Sequence, residues 1–388
     1  MGKRDLRTAK RGFAKGITSR KYKIRNGPYI PQYHRCDILL LSAILFLVFI
    51  GVVMVFSASA VVSHERFNAS YFFLTKQFIW TILGTLSMLA LARIDYNKLQ
   101  KFSRPLLLLS LGLLLLVLLL ESGEIRRWLK FGMVSFQPSE MGKFCLILYV
   151  ADALDRKASK LWDFRRGTLP ILIVTAIFLL LVYAEPDLGT AVVLAMVILA
   201  MLFMGGVRLS HLMSLILLGL PLLYFAIFHV GYRRERILTF LNPWADAQKI
   251  GYQIVQALLA LGSGGFFGKG LGASRAKLFY LPEPYTDFIF SIIGEELGFL
   301  GASLIVFLFV VIAWRGLRIA TRAPNQFGNL LAAGITFLIT FQAVLNISVA
   351  TACLPTKGIT LPFLSYGGSS LVFSLMGVGI LLNISRQT

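Results

Sequence analysis

Leu281-Pro282-Glu283-Pro284-Tyr285-Thr286-Asp287-Phe288-Ile289-Phe290 closes a glycine-rich, basic stretch and opens a strongly apolar one. Asp287 therefore stands where the chain leaves water and enters lipid. A carboxylate in that position is costly, and is kept when it is well paired or does chemistry.

The surrounding composition supports a membrane setting. Of 388 residues, 57% are hydrophobic and 15% charged, against roughly 45–50% and about 25% in soluble domains. The apolar residues fall in long runs, as membrane spans require. A net charge of +21 raises nucleic acid as a partner. The basic residues cluster in loops between apolar runs, however, which membrane insertion explains, and no zinc-finger spacing or RNA-binding aromatic motif is present. Cys36, Cys145 and Cys353, like His34, His64, His211 and His229, show no metal-ligand or disulfide spacing.

Residues 1–36 carry eleven Lys/Arg and one acid, Asp5, without the apolar core of a signal peptide. They read as a disordered, basic cytoplasmic tail, with anionic lipid headgroups as a further contact. The membrane domain expected over 37–388 holds ten apolar segments, near 38–58, 77–93, 105–120, 138–154, 168–184, 187–206, 210–230, 287–314, 326–352 and 364–385. The expected fold is an all-α polytopic membrane protein with ten transmembrane helices, both termini cytoplasmic, and a large external loop between spans 7 and 8.

Most of the Lys/Arg outside the cytoplasmic loops lie in the external segments 121–137 and 231–286. A basic external surface beside Asp287 suggests an anionic ligand; plain solvation is the competing reading. The second segment, 56 residues long, is too long for a bare loop. Gly251 to Ala260 reads as a short amphipathic or re-entrant helix. Six glycines between Gly262 and Gly272 would allow the backbone to approach a ligand closely. A nucleotide P-loop is excluded, since Ser263 and Gly270 stand where glycine and Ser/Thr are needed.

Five polar clusters interrupt the apolar runs, all on the expected external side: Arg126-Arg127-Trp128-Leu129 with Gln137-Pro138-Ser139-Glu140; Glu185-Pro186-Asp187-Leu188-Gly189-Thr190; Tyr232-Arg233-Arg234-Glu235-Arg236; the Asp287 stretch; and Leu354-Pro355-Thr356-Lys357-Gly358 through Ser365-Tyr366-Gly367-Gly368-Ser369-Ser370. In this order, from about residue 38 to 385, the clusters resemble the SEDS family (shape, elongation, division and sporulation). Pro355-Thr356-Lys357-Gly358-Ile359-Thr360-Leu361-Pro362 and the basic tail resemble its division-type members more than its elongation-type ones; sporulation-type members share both features. Pro284-Tyr285 departs from the family pattern.

The resemblance implies a peptidoglycan glycosyltransferase of the cytoplasmic membrane, placed at the division septum. It would polymerise lipid II into a nascent glycan strand on the external face. The implied partners are an FtsI-like class B penicillin-binding transpeptidase, division regulators of the FtsQ, FtsL and FtsB kind, and membrane lipids, with no nucleic acid. The family's catalytic aspartate falls on Asp287. Its chemistry would be that of a general base on the acceptor sugar hydroxyl, although the residues alone equally allow a helix cap. Candidates to bind substrate are Lys357, Arg233, Arg234, Arg236, Lys269, Lys277, Glu283, Thr286 and Ser369; the cations among them, with Arg126 and Arg127, would neutralise the departing pyrophosphate. No cofactor is assigned, though a divalent cation, Mg²⁺ or Mn²⁺, would serve the same charge.

Glu295 and Glu296, if helical, lie ~12–13 Å beyond Asp287. They are expected, with Glu140, Lys143, Glu185 and Asp187, to pair inside the bundle. Gln342 and Asn346 are expected to bond between helices. Two other readings compete with the enzyme. Intramembrane acids and Gly/Pro-broken segments also suit a lipid II flippase, but a carrier needs gating elements on both sides, and these motifs cluster on one. A scaffold for division proteins is compatible with catalysis.

Overall fold

The computed structural model describes residues 36–120, 127–131, 134–249, 251–278 and 280–388. The basic tail, up to residue 35, and Arg126 lie outside the described residues.

Each of the ten expected segments is a helix. The first seven are α1 (Ile38–Phe67), α2 (Phe72–Arg93), α3 (Tyr96–Leu120), α4 (Pro138–Arg156), α5 (Leu169–Ala184), α6 (Leu188–Met204) and α7 (Leu209–Phe228). Two short helices of the long loop follow, α8 (Gly231–Leu241) and α9 (Tyr252–Ser263). The last three are α10 (Ile289–Arg322), α11 (Gln326–Ala350) and α12 (Gly368–Ser385). Among the described residues, eight helices are long and apolar enough to cross a membrane. Of the other two expected spans, α6 is apolar but shorter, and α4 carries the buried charges Glu140, Lys143 and Asp152. The chain is a multi-pass membrane protein.

One element departs from an all-helical reading. Leu129–Phe131 (β1) and Val134–Phe136 (β2) pair antiparallel, Leu129 opposite Phe136. This hairpin delivers Arg127 and Trp128 to the site described below.

Burial sorts the helices into centre and periphery. In the most apolar stretch of α11 and of α12, 67% of residues are buried, against 6% in α7. With no hydrophobic drive between helices in lipid, such enclosure reflects close packing and hydrogen bonding. The α7 surface, with Leu217, Leu218, Leu222 and Phe225 exposed, is one that lipid solvates.

Helix α10 is broken. Gly298 has φ +69° and ψ −167° in its interior, a backbone that side chains avoid. The glycine-rich segment after α9 plugs the break. Lys269 and Gly270 donate their N–H groups to the carbonyls of Glu295 and Glu296, both at 3.0 Å, and Phe299 N donates to Gly265 O at 2.9 Å. A Cβ on Gly268 would lie 2.2 Å from Glu296 O, and one on Gly298 would lie 2.3 Å from Gly268 N. The close approach expected of these glycines is thus toward a helix break, whose freed backbone groups need partners inside a membrane, and not toward a ligand.

Candidate active site

Five helices begin around one cavity of about 470 Å³. Phe73 lies in the first turn of α2, Glu140 in that of α4, Asp187 caps α6, Asp287 precedes α10 by two residues, and Gly368 opens α12; all five line the cavity. Each helix start brings the partial positive charge of its helix dipole to the edge of the cavity. Convergence of five makes the cavity suited to anions. Trp80, Trp128 and Tyr366 add aromatic walls, and Gln342 lines it from α11.

The segment carrying Asp287 is clamped on both sides. Asn346 of α11 donates through Nδ2 to Asp287 O at 2.9 Å and to Ile359 O at 2.7 Å. Tyr366 N donates to Tyr285 O at 2.8 Å, and Ser365 Oγ donates to Thr286 O. Tyr285 packs against Phe73, with ring centroids 4.8 Å apart, and edge-on to Tyr366 at 5.9 Å. The departure at Pro284-Tyr285 thus builds an aromatic wall of the cavity. Burial and the nearby Glu283 raise the Tyr285 phenol above its ordinary value.

Asp287 faces Gly358 so closely that a Cβ there would lie 3.4 Å from its Oδ2. Its carboxyl is pushed up to about 6, first by burial and then by Glu283, with Asp187 adding to the rise and Arg236 and Arg127 opposing it. A carboxylate with that value is half-poised to hold and release a proton near neutrality. Asp187 is fixed by Thr190, which donates from N at 3.0 Å and from Oγ1 at 2.8 Å. Glu185 is fully buried, and neither carboxyl oxygen has a hydrogen-bond partner among the described residues. Burial and Asp187 push it up to about 8 against the pull of Arg127, so it is mostly protonated at pH 7. Arg127 donates to the carbonyls of Glu185, at 2.8 Å, and Pro186.

The candidate residues divide. Glu283 and Thr286 line the cavity with Asp287. Lys357 is half-buried beside it; burial lowers its ammonium while Asp187 pulls it up. Arg236 reaches the same loop, donating to Thr356 O at 3.5 Å. Five candidates are placed otherwise. Lys269 pairs with Glu295 at 2.7 Å and Lys277 with Glu296 at 3.0 Å. Neither lines the cavity, because the two buried glutamates beside the helix break need those cations more than solvent does. Ser369 points away, accepting from Gln137 N at 3.3 Å and donating to Ser135 O at 3.5 Å; its neighbour Ser370 lines the cavity and bonds Thr360 at 3.1 Å. Arg233 lies over the Tyr183 ring and donates to Ala226 O at 2.9 Å, and Arg234 is exposed on the same turn.

The remaining acids behave as buried pairs. Glu296 also accepts from Ser57 Oγ at 2.7 Å and Gly272 N at 2.9 Å, and Glu295 from Ser274 Oγ at 2.5 Å. Glu140 pairs with Lys143 at 2.8 Å. Asn346, expected between helices, bonds loop carbonyls instead. Arg127, Trp80 and Trp128 are the site residues the sequence under-weighted. Their signal was the Arg126-Arg127-Trp128 cluster itself; Trp80 carried none. Among the described residues no group of three or more His, Cys, Asp or Glu could hold a metal ion.

The FtsW/RodA/SpoVE family of cell cycle proteins matches residues 37–388. The chain is 44% identical over 362 residues to a probable peptidoglycan glycosyltransferase FtsW of Geobacter metallireducens, covering 92% of this chain and 96% of that one. It is likewise 44% identical over 356 residues to stage V sporulation protein E of Bacillus subtilis, covering 91% and 97%. Its fold superposes on a chain of a peptidoglycan synthase complex with a TM-score of 0.74 at 29% identity, covering 90% and 98%. For the rod shape determining protein RodA of Thermus thermophilus the TM-score is 0.68 at 29% identity, covering 92% and 98%. With essentially the whole membrane part matched in sequence and in fold, the chain belongs to the FtsW/RodA/SpoVE family.

Proposed function

We propose that this protein is a peptidoglycan glycosyltransferase that polymerises lipid II at the outer face of the membrane, with Asp287 as general base. The observation that carries the reading is Asp287 itself: a carboxyl raised to about 6, on the wall of a cavity where five helix starts converge. The activity named for the Geobacter relative supports it.

In the reaction a sugar hydroxyl attacks an anomeric carbon that bears a lipid pyrophosphate. Asp287 takes the hydroxyl proton as the new C–O bond forms. The bond to the pyrophosphate oxygen breaks, and the leaving group departs with that electron pair. Pyrophosphate is a good leaving group, so a single carboxylate suffices, as the base does in inverting glycosidases. Its charge meets the helix starts, Arg127, Arg236 and Lys357. Glu283, Thr286 and Ser370 are placed to hold sugar hydroxyls, and Trp80, Trp128 and Tyr366 to cover the apolar faces of sugar rings. A Mg²⁺ or Mn²⁺ ion, carried by the substrate phosphates, would add to the same neutralisation. The likeness to a complex that coordinates polymerization and crosslinking supports a class B transpeptidase as partner. The division-type motifs and the name of the Geobacter relative support action at the septum with FtsQ-, FtsL- and FtsB-like regulators.

The test uses the purified chain with its transpeptidase in proteoliposomes containing labelled lipid II. Glycan polymer is the expected product. Translocation of lipid II without polymer would replace this reading with a flippase.

A further inference from the structure

A second cavity, of about 430 Å³, lies between α3, α4 and α5. It shares no residue with the site around Asp287. Its walls are apolar: Leu108 and Leu111 from α3, and Val174 and Ile177 from α5. Leu108 is 67% and Ile177 49% exposed, so the crevice opens sideways to lipid. Its mouth is cationic, formed by Arg104, Arg156 and Lys157.

Arg156 ends the same helix whose first turn places Glu140 in the Asp287 cavity. Arg156 follows Glu140 by sixteen positions of α4, roughly 24 Å at ~1.5 Å per residue. The crevice therefore opens in the opposite leaflet, on the side of Arg93, Arg208 and Arg322. By the distribution of basic loops this is the inner leaflet.

The charges at the mouth do not cancel. Asp152 is occupied by Arg156 at 2.5 Å and by Ser103 Oγ at 2.6 Å; Asp155 accepts from Gln100 at 3.1 Å. Arg104 and Lys157 have no ion-pair partner among the described residues. Burial and the adjacent Lys160 hold the Lys157 ammonium below its ordinary value, as crowded cations without a counter-ion should be.

We propose that this crevice binds an anionic phospholipid of the inner leaflet, one acyl chain lying along Leu108, Leu111, Val174 and Ile177 and the headgroup phosphate resting on Arg104, Arg156 and Lys157. A zwitterionic lipid fills the walls equally well but brings no net charge to the mouth. Basic pockets between helices on the cytoplasmic side select lipid in this way, each Lys/Arg contributing roughly five-fold in affinity.

The full chain in detergent micelles is photolabelled with phosphatidylglycerol carrying a diazirine on its acyl chain, and in parallel with the matching phosphatidylcholine probe. Labelled peptides are mapped by mass spectrometry. Phosphatidylglycerol should label residues 105–111 and 171–177 several-fold more than phosphatidylcholine. The double variant Arg104→Ala/Lys157→Ala should erase that excess, bringing phosphatidylglycerol labelling down to the phosphatidylcholine level, with thermal stability unchanged, since neither side chain has an ion-pair or hydrogen-bond partner to lose among the described residues. Arg104→Lys with Lys157→Arg should restore it. Equal labelling by the two probes, or an excess that survives the double variant, would overturn the proposal. So would displacement of the probe by lipid II at concentrations where unlabelled phosphatidylglycerol has no effect.

Discussion

Asn346 holds the carbonyl of Asp287 at 2.9 Å with the same amide nitrogen that holds Ile359 O at 2.7 Å. One buried side chain on α11 thereby fixes the distance between the candidate base and the loop carrying Lys357. Asn346→Ala should leave two loop carbonyls without a donor and let the loops separate. The expected result is a fall in kcat with little change in KM, since Asn346 acts through Asp287 and not on substrate. An unchanged kcat would show that the clamp is redundant.

The pH dependence of polymerisation should be bell-shaped. Asp287 must be ionised to accept a proton, and its value of about 6 sets a limb across which activity rises with pH. Glu185, at about 8, gains a negative charge above that point beside Asp187, and the site loses its electropositive character. Glu185→Gln mimics the protonated form. It should keep near-normal activity at pH 7 and abolish the alkaline limb while leaving the acid limb in place. A profile measured from pH 5 to 9 for both proteins checks this.

Lys277 separates two roles in one measurement. Removing it leaves Glu296, fully buried, without its cation, which should cost about 3–5 kcal/mol of stability. Lys277→Ala should therefore lower the thermal midpoint strongly, and Lys277→Ala/Glu296→Gln should recover much of the loss. A variant with normal stability and a raised KM would return Lys277 to the pyrophosphate.

Lys357 and Arg275 form a further contrast. Lys357 is half-buried by the cavity, whereas Arg275 is exposed and bonds through its backbone, its N–H donating to Glu295 and its carbonyl accepting from Leu278 N. Lys357→Ala should reduce kcat/KM by ~10²-fold or more, as loss of one positioned charge does, and Arg275→Ala should change it little. Equal losses would mean that the basic surface acts collectively.

The helices were legible because an apolar run longer than a bilayer has few alternatives. Asp287 was legible because a carboxylate beside such a run stands out. What pairs with what was not. Lys269 lies within a glycine cluster and Lys277 just after it, a pattern that resembles an anion site, yet their partners lie in a helix that follows them, visible only once Gly298 breaks α10 and the glycine segment fills the gap. Ser369 and Ser370 differ by one position at a helix start, where the direction of a side chain depends on the turn and not on the residue. The β1–β2 hairpin, three residues a strand, is too short to give a periodic signal.

Stability supplies a check on Asp287 independent of turnover. Its value in the folded protein is raised from the ordinary 3.8 to about 6, so its contribution to stability is fully present below about pH 4 and is lost progressively as the pH rises through 6. Asp287→Asn should raise the thermal midpoint at pH 7.5, raise it by clearly less at pH 5, and leave it unchanged only below about pH 4. A lowered midpoint at pH 7.5 would make Asp287 a structural residue.

The most direct measurement is polymerisation of labelled lipid II by the purified chain with its transpeptidase, wild type against Asp287→Asn, with folding checked in parallel. The account predicts that the variant stays folded and binds lipid II, while polymer formation falls by ~10²–10⁴-fold, the range expected for loss of a general base. Polymer formed by Asp287→Asn at the wild-type rate would contradict it.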